Sequence, residues 1–338
     1  MKAVLLQQPK EIDIVEVPRP DQQGKVLIQV RSMGICGSDI AAYKGVSPLV
    51  TYPRILGHEI AGDVVSVPEQ SEGVAVGDRV IVEPYRYCGA CYPCQIGRTN
   101  CCEHLKVIGV HEDGGMREYY AHDPHLIHRV PDALAWDRIP MIEPLSIAIH
   151  GIHRLNVQAG EHVAITGAGQ IGLLAAQVAR YLHAIPILID PVRERLELAR
   201  QIGIEHVIDP VTEDAAQKIQ TITSGRLVEA FLEASGSAAA VRSSIDLTHY
   251  AGRVAFLGWP KDEVSLPTFL FTKKELDVRG SRNSVGEFPL AIELLASDRI
   301  NVDTLISKVI AFDDIPEYVR LIAEHPADYI KVIAVFPS

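Results

Sequence analysis

The segment "HVAITGAGQIGLLAAQVARYL", residues 162–182, limits the possible fold more than any other part of this chain. An apolar run, three glycines spaced Gly167-x-Gly169-x-x-Gly172 and an amphipathic run follow one another directly, as in a strand, a tight turn and a helix. The first glycine permits the turn, the second lets backbone approach a pyrophosphate, and the third lets the helix pack on the strand. Gln170 and Ile171 open the helix, whose unpaired N–H groups and dipole favour phosphate. The next apolar run, "PILID", ends in Asp190. A carboxylate there accepts hydrogen bonds from an adenosine ribose and repels a 2′-phosphate, so NAD is expected and NADP is the lesser reading. Arg193 and Arg195 stand close by, where an arginine could tolerate the phosphate. "HVIDP", "EAFLEAS", "RVAFLG" and "LDVRGS" continue the strand series, and "VRERLELARQIG" reads as a helix closed by Gly203. Six strands with intervening helices predict an α/β, doubly wound parallel sheet.

The first 145 or so residues have another rhythm. "KAVLLQ", "KVLIQVRSMGIC", "AGDVVSV" and "GDRVIVEPY" are short β-rich runs broken by Gly, Pro and Asp. After about residue 282, "FPLAIELLASDRI" and "IPEYVRLIAEH" read as amphipathic helices and "KVIAVF" as a last strand. The expected domains are therefore 1–148, β-rich; 149–281, dinucleotide-binding; and 282–338, returning to the first. A length of 338 residues suffices for two buried cores. The formal charge of −11 argues against a nucleic-acid partner, which needs clustered Lys and Arg. "MKAVLLQQPKEIDIVEV" lacks the apolar length of a signal peptide, and no apolar run is long enough to span a bilayer. A cytoplasmic protein without membrane association is expected, and in that compartment stable disulfides are rare.

That expectation bears on "CGACYPCQIGRTNCC", which holds five of the six cysteines. A disulfide knot, a reactive thiol site and a metal site compete for it. The spacing Cys88-x2-Cys91-x2-Cys94-x7-Cys102 lets four thiolates converge on a tetrahedral ion, whereas Cys101 should point away from its neighbour. A redox pair would not need a third and fourth cysteine in register. The reading is structural zinc in a lobe of about 84–103, closed by four sulfurs and chemically idle. The sixth cysteine, Cys36 in "GICGSDI", precedes His58 and Glu59 in "GHE" and, far downstream, Glu143 in "IEPLS". Singly, each has an ordinary reading as a buried thiol, a satisfied hydrogen bond or a helix opening. Jointly, a thiolate, an imidazole and carboxylates make a mixed shell able to leave a position open for substrate.

"GICGSDI", "PRILGHEIAGDVV", the four-cysteine loop, "GAGQIG" and "IEPLS" come in the order found in zinc-dependent medium-chain dehydrogenases. The sequence resembles that family, which includes alcohol, sorbitol and threonine dehydrogenases, over essentially its whole length. The resemblance implies a β-rich GroES-like catalytic domain beside a Rossmann domain, with two zinc ions per chain. By position, Cys36 and His58 match zinc ligands. Glu59 matches a carboxylate that binds zinc directly or through water, and Glu143 falls where the polyol branch has a glutamate. Asp39 matches the acid that orients the zinc-bound histidine, and Ser38 the hydroxyl that takes the substrate's proton. Ala41 replaces a histidine that many relatives use to pass this proton outward, leaving water, the cofactor ribose or a group such as Tyr43. Arg195 matches an adenine-side arginine, and Ser235 and Gly258 match loops on the nicotinamide side.

Together these imply transfer of hydride to NAD from an alcohol made acidic by zinc. Arg282 and Asn283 in "GSRN", with His111 in "VIGVHEDGG", look most like the sugar-acid branch, whose members oxidise a secondary hydroxyl of hexonates such as L-gulonate or L-galactonate. A neutral polyol or L-threonine is the alternative substrate, and a catalytically silent NAD-binding protein the alternative class. A homodimer or homotetramer is implied, with "GRVAFLGWP" and "SLPTFLF" suiting a shared edge.

Overall fold

The computed structural model describes residues 1–69 and 73–336. The chain forms two compact units. One comprises Met1–Glu143, Phe288–Ala296 and Ile306–Ser338, and the other Pro144–Glu287 and Ser297–Leu305. The boundaries read from sequence lay at 148 and 281. The structure divides the chain within the first turn of the helix Ile142–Leu155 and just before the helix Phe288–Ala296.

In the second unit, six strands stand in the order His206–Ile208, Ile185–Ile189, His162–Thr166, Val228–Glu233, Thr248–Phe256, Asp277–Gly280. Every neighbouring pair is parallel, which is the doubly wound sheet the strand–helix alternation predicts. Strands covered on both faces need apolar residues at successive positions rather than alternate ones. Val163, Ala164 and Ile165 accordingly show no exposure at all. The helix Gln170–Tyr181 lays Leu173, Leu174, Ala176 and Val178 against this layer, each large side chain contributing roughly 1.5–3 kcal/mol by leaving water. The chain order reverses between His162–Thr166 and Val228–Glu233. A ligand of such a sheet lies outside the carboxyl ends of the strands at that switch point.

The first unit is built on a seven-stranded sheet. Its path runs Ile127–Arg129, Arg79–Val82, Glu59–Ser66, Val26–Ile35, Lys331–Val335, Ile306–Ala311, with Tyr119–His122 also paired to Val26–Ile35. The C-terminal strand sits antiparallel to Val26–Ile35, with Val332 opposite Ile35. Val26–Ile35 is apolar because it is covered on both sides, leaving only Gln29 and Arg31 half-buried along it. Cys36 follows the end of Val26–Ile35, His58 precedes Glu59–Ser66, and Lys331 opens the C-terminal strand. No helix among the described residues is long and apolar enough to cross a membrane.

Candidate metal centres and dinucleotide site

Cys36 caps the short helix Gly37–Tyr43 where the strand Val26–Ile35 ends. His58 and Glu59 stand where the neighbouring strand begins, and Glu59 pairs in register with Gly34. Pairing of the two strands therefore brings thiol, imidazole and carboxylate together, with one ligand atom of each within 4.8 Å of the others. Glu143 enters from the first turn of the helix Ile142–Leu155, is 2 % exposed, and accepts a hydrogen bond from the Tyr85 hydroxyl. It faces His58 electrostatically but lies outside the close trio.

Charge decides the character of this pocket. Burial pushes the Glu143 carboxyl up to about 7, against the pull of His58. Burial also opposes a charged His58, yet Cys36, Asp39 and Glu143 outweigh it and raise the imidazole well above its ordinary value. A cluster that draws a proton this strongly is chemically suited to a cation in its place. Buried polar atoms point the same way, since Ser38 Oγ and His58 Nδ1 have no hydrogen-bond partner among the described residues. The donor set of one sulfur, one imidazole and carboxylate oxygen fits zinc.

The structure gives Asp39 a main-chain role at this site. Its oxygens accept from Cys36 N at 2.8 Å and Gly57 N at 3.3 Å. Rather than bonding the imidazole, the carboxylate fixes the backbone beside both Cys36 and His58. Tyr43 packs against the apolar cluster of this unit.

Three residues that sequence reasoning did not single out complete the pocket. Lys331 is fully buried, and its ammonium donates to Glu59 Oε1 at 2.5 Å and to the Ile35 carbonyl at 3.2 Å. The second oxygen, Glu59 Oε2, stands 2.5 Å from the same ammonium, so the ion pair engages both carboxylate oxygens. Gly34 makes room for the pair: a Cβ there would stand 1.6 Å from Glu59 Oε2 and 3.0 Å from Lys331 Cε. Tyr85 is the third. The only local signal for Lys331 is a lysine heading an apolar strand, and nothing in "VEPYRYC" marks Tyr85.

The cysteine loop forms a second cluster in the same unit. The sulfurs of Cys88, Cys91, Cys94 and Cys102 lie within 4.8 Å of one another, and Cys101 is not among them. Amides of Ala90 and Cys91 point at Cys88 Sγ, at 3.5 and 3.4 Å, and lower that thiol to about 6. Cys88 N and His104 N both reach Cys102 Sγ at 3.3 Å. Backbone donors aimed at sulfur stabilise thiolate, the form that binds metal.

In the second unit a cavity of about 470 Å3 opens beside the carboxyl ends of the strands, lined by Gly167, Asp190, Arg195, Ser235 and Ser237 among others. Gly167 has φ +94°, and Gly169 caps the helix Gln170–Tyr181. Gln170 and Ile171 are half-buried in its first turn. A Cβ at Gly172 would meet Gly167 O at 1.7 Å, the close helix–strand approach that a third glycine serves. Asp190 is 4 % exposed and accepts from Ala168 N at 2.7 Å and Val192 N at 2.8 Å. Gly258 lies just past the end of the strand Thr248–Phe256.

The three residues expected at the substrate lie in two places. His111 belongs to the first unit, where its Nδ1 accepts from Val107 N at 3.0 Å. Arg282, exposed, and Asn283, with φ +47°, belong to a loop of the second.

A β unit with a mixed thiolate–imidazole–carboxylate centre and a four-cysteine lobe, together with a Rossmann-type unit, defines a zinc-type dehydrogenase. Residues 22–132 match the alcohol dehydrogenase GroES-like domain and residues 171–297 match the zinc-binding dehydrogenase family. An uncharacterized zinc-type alcohol dehydrogenase-like protein of Haemophilus influenzae is 53% identical, with 99% of each chain covered. The L-galactonate-5-dehydrogenase of Escherichia coli K12 is 35% identical, with 94% of each covered. Among solved structures, an alcohol dehydrogenase from E. coli CFT073 complexed with NADH superposes with a TM-score of 0.92 at 31% identity, covering 99% of both chains. A zinc-binding dehydrogenase from Sinorhizobium meliloti bound to NADP gives 0.91 at 32%, covering 99% of this chain and 98% of that one. The chain belongs to the zinc-type medium-chain alcohol dehydrogenase family, as its motif order suggests, and is an oxidoreductase acting on CH–OH groups.

Proposed function

We propose that this enzyme oxidises a secondary hydroxyl of a sugar acid, a hexonate of the L-gulonate or L-galactonate type, with NAD+ as acceptor. The observation that carries the reaction type is the convergence of half-buried Cys36 with buried His58 and Glu59, with Ser38 Oγ unpaired among the described residues. Cys36, His58 and Glu59 would hold a zinc ion, Glu143 lending a further carboxylate, and the four loop cysteines would hold another. Zinc supplies Lewis acidity that brings an alcohol's pKa toward neutrality, and NAD supplies the hydride acceptor. The chain's own residues do the rest. Ser38 takes the hydroxyl proton, Asp39 keeps the backbone of Cys36 and His58 in place, and Lys331 neutralises Glu59. With Ala41 at the next relay position no side chain there can pass the proton on, so water, the ribose of a bound cofactor or a group such as Tyr43 would carry it outward.

Three observations support the choice of cofactor and substrate. Asp190 lines the adenosine side of the cavity, which favours an unphosphorylated ribose. Arg282 offers a guanidinium suited to bidentate binding of a carboxylate, and a hexonate enzyme stands among the relatives. Hexonates, hexitols and L-threonine offered with NAD+ or NADP+, and followed by cofactor absorbance, test the reading. Turnover of hexonates with NAD+ is expected. Turnover of hexitols or L-threonine with no response to hexonates would replace the sugar acid by those substrates.

A further inference from the structure

Glu233 ends the strand Val228–Glu233 with no solvent exposure, an expensive position for a carboxylate unless donors surround it. Its donors come almost entirely from the loop that follows. Glu233 Oε1 accepts from Ser235 N at 2.8 Å, Ser235 Oγ at 2.5 Å and Gly236 N at 3.0 Å, and Gly236 N also lies 3.2 Å from Oε2. Thr166 Oγ1, at the end of the adjacent strand, reaches Oε1 at 3.4 Å. Ser235 Oγ then accepts from Ser237 N at 3.1 Å. The main-chain carbonyl of Glu233 takes Leu257 N at 2.8 Å and Gly258 N at 3.0 Å from the strand on the other side. Successive inward N–H groups make a concavity for an anion. Here the chain fills that concavity with its own side chain.

One buried residue thus ties down the ends of three adjacent parallel strands. The packing leaves no slack, since a Cβ on Gly258 would stand 2.2 Å from Gly236 N and 2.6 Å from Glu233 Oε2. These loops border the switch point, across His162–Thr166 from the strand that leads to Asp190, and Ser235 lines the same cavity as Asp190. A dinucleotide laid across that point puts adenosine over Asp190 and its other half over Ser235, Gly236 and Gly258.

The geometry points to Glu233 as a positioning residue for the nicotinamide half of the cofactor. It moulds the Ser235–Gly236 loop before the cofactor arrives, so that little ordering is left for binding to accomplish. With no exposed surface, Glu233 acts through this loop rather than by direct contact. This assignment rests on the dinucleotide reading of the cavity and not on which alcohol is oxidised.

Titrating full-length wild type, Glu233→Gln and Ser235→Ala with NADH by fluorescence, without any alcohol, tests it, with AMP titrated in parallel as a probe of the adenosine half. Glu233→Gln keeps the shape and one acceptor oxygen but removes the negative charge these donors surround and sets an amide N–H2 against Gly236 N, where Oε2 accepted. Its Kd for NADH is expected to rise about tenfold or more, equivalent to about 1.4 kcal/mol. Ser235→Ala, which removes the bond to Glu233 Oε1 and the one from Ser237 N, should raise it roughly threefold, and the Kd for AMP should stay within about twofold throughout. Wild-type affinity for NADH in Glu233→Gln would overturn the proposal. So would equal losses for NADH and AMP, the mark of a general structural role. Should Glu233→Gln not fold, unchanged NADH affinity in Ser235→Ala overturns it, and a selective NADH loss there upholds it. A wild type that binds NADH but ignores hexonates corrects the substrate alone, whereas one that binds no NADH removes both readings.

Discussion

The cysteine lobe and the mixed centre lie in the same unit and use the same element, sulfur, to opposite ends. In the lobe all four sulfurs come from fifteen consecutive residues, Cys88 is exposed, and every donor is alike. In the mixed centre one sulfur meets an imidazole and a carboxylate brought from a neighbouring strand, with His58 and Glu59 buried and Lys331 and Tyr85 held against the acids. A closed shell of like donors fixes a loop; an incomplete shell of unlike donors, surrounded by buried charge, is built to do chemistry. If this contrast is right, damage to the two clusters should fail differently.

The largest effect is expected at the mixed centre. His58→Ala should lower turnover at least ~10³-fold, the loss of several kcal/mol of charge stabilisation. Zinc content should fall by one ion per chain and NADH affinity should persist. Comparable activity in His58→Ala would erase the distinction between the clusters.

Next comes the buried ion pair. Lys331→Met leaves Glu59 without its cation in a pocket closed to water. In chelator-treated protein the cost should be roughly 3–5 kcal/mol by urea unfolding. Gly34→Ala should act in the same direction, because its Cβ occupies the space of Glu59 Oε2.

The lobe should show the reverse pattern to His58. Cys91→Ser should lose one zinc and lower the melting temperature by about 5 °C, while turnover per folded molecule stays within about threefold. A Cys91→Ser enzyme that is fully stable but inactive would transfer the chemistry to the lobe.

The smallest effect tests a pair outside both clusters. Burial alone would raise the Glu287 carboxyl, but the hydrogen bond with His150, 2.8 Å away, and the His153 ring 3.6 Å away outweigh it and hold it at about 2, below the ordinary 4.5. A folded-state value below the unfolded one stabilises the protein above pH 4.5, and that stability drains as pH falls from 4.5 toward 2. Glu287→Gln should flatten this part of the stability–pH curve in thermal melts. An acid limb identical to wild type would deny the pair any role in stability.

What the sequence disclosed follows from the range of each interaction. The Gly167–Gly172 turn and the cysteine lobe are local, so spacing alone reveals strand, turn, helix and quartet. The parallel sheet is legible because each buried strand is a continuous apolar run between helical patterns. Cys36, His58 and Glu59 were legible only through family motif order, since strand register brings them together. Lys331 reaches Glu59 across 272 positions, and Tyr85 reaches Glu143 across 58, through pairings that no local pattern encodes. Asp39 shows the converse: its position was marked, but whether a carboxylate holds a ring or a backbone amide depends on geometry that appears only in the fold.

Anomalous diffraction at the zinc absorption edge from crystals of the wild-type protein puts the account to its most direct test. It predicts two peaks per chain, one amid Cys88, Cys91, Cys94 and Cys102 and one about 2.3 Å from Cys36 Sγ and about 2.0–2.1 Å from a His58 nitrogen. A peak at the four-cysteine loop alone, in protein that oxidises its alcohol at full rate, would contradict it.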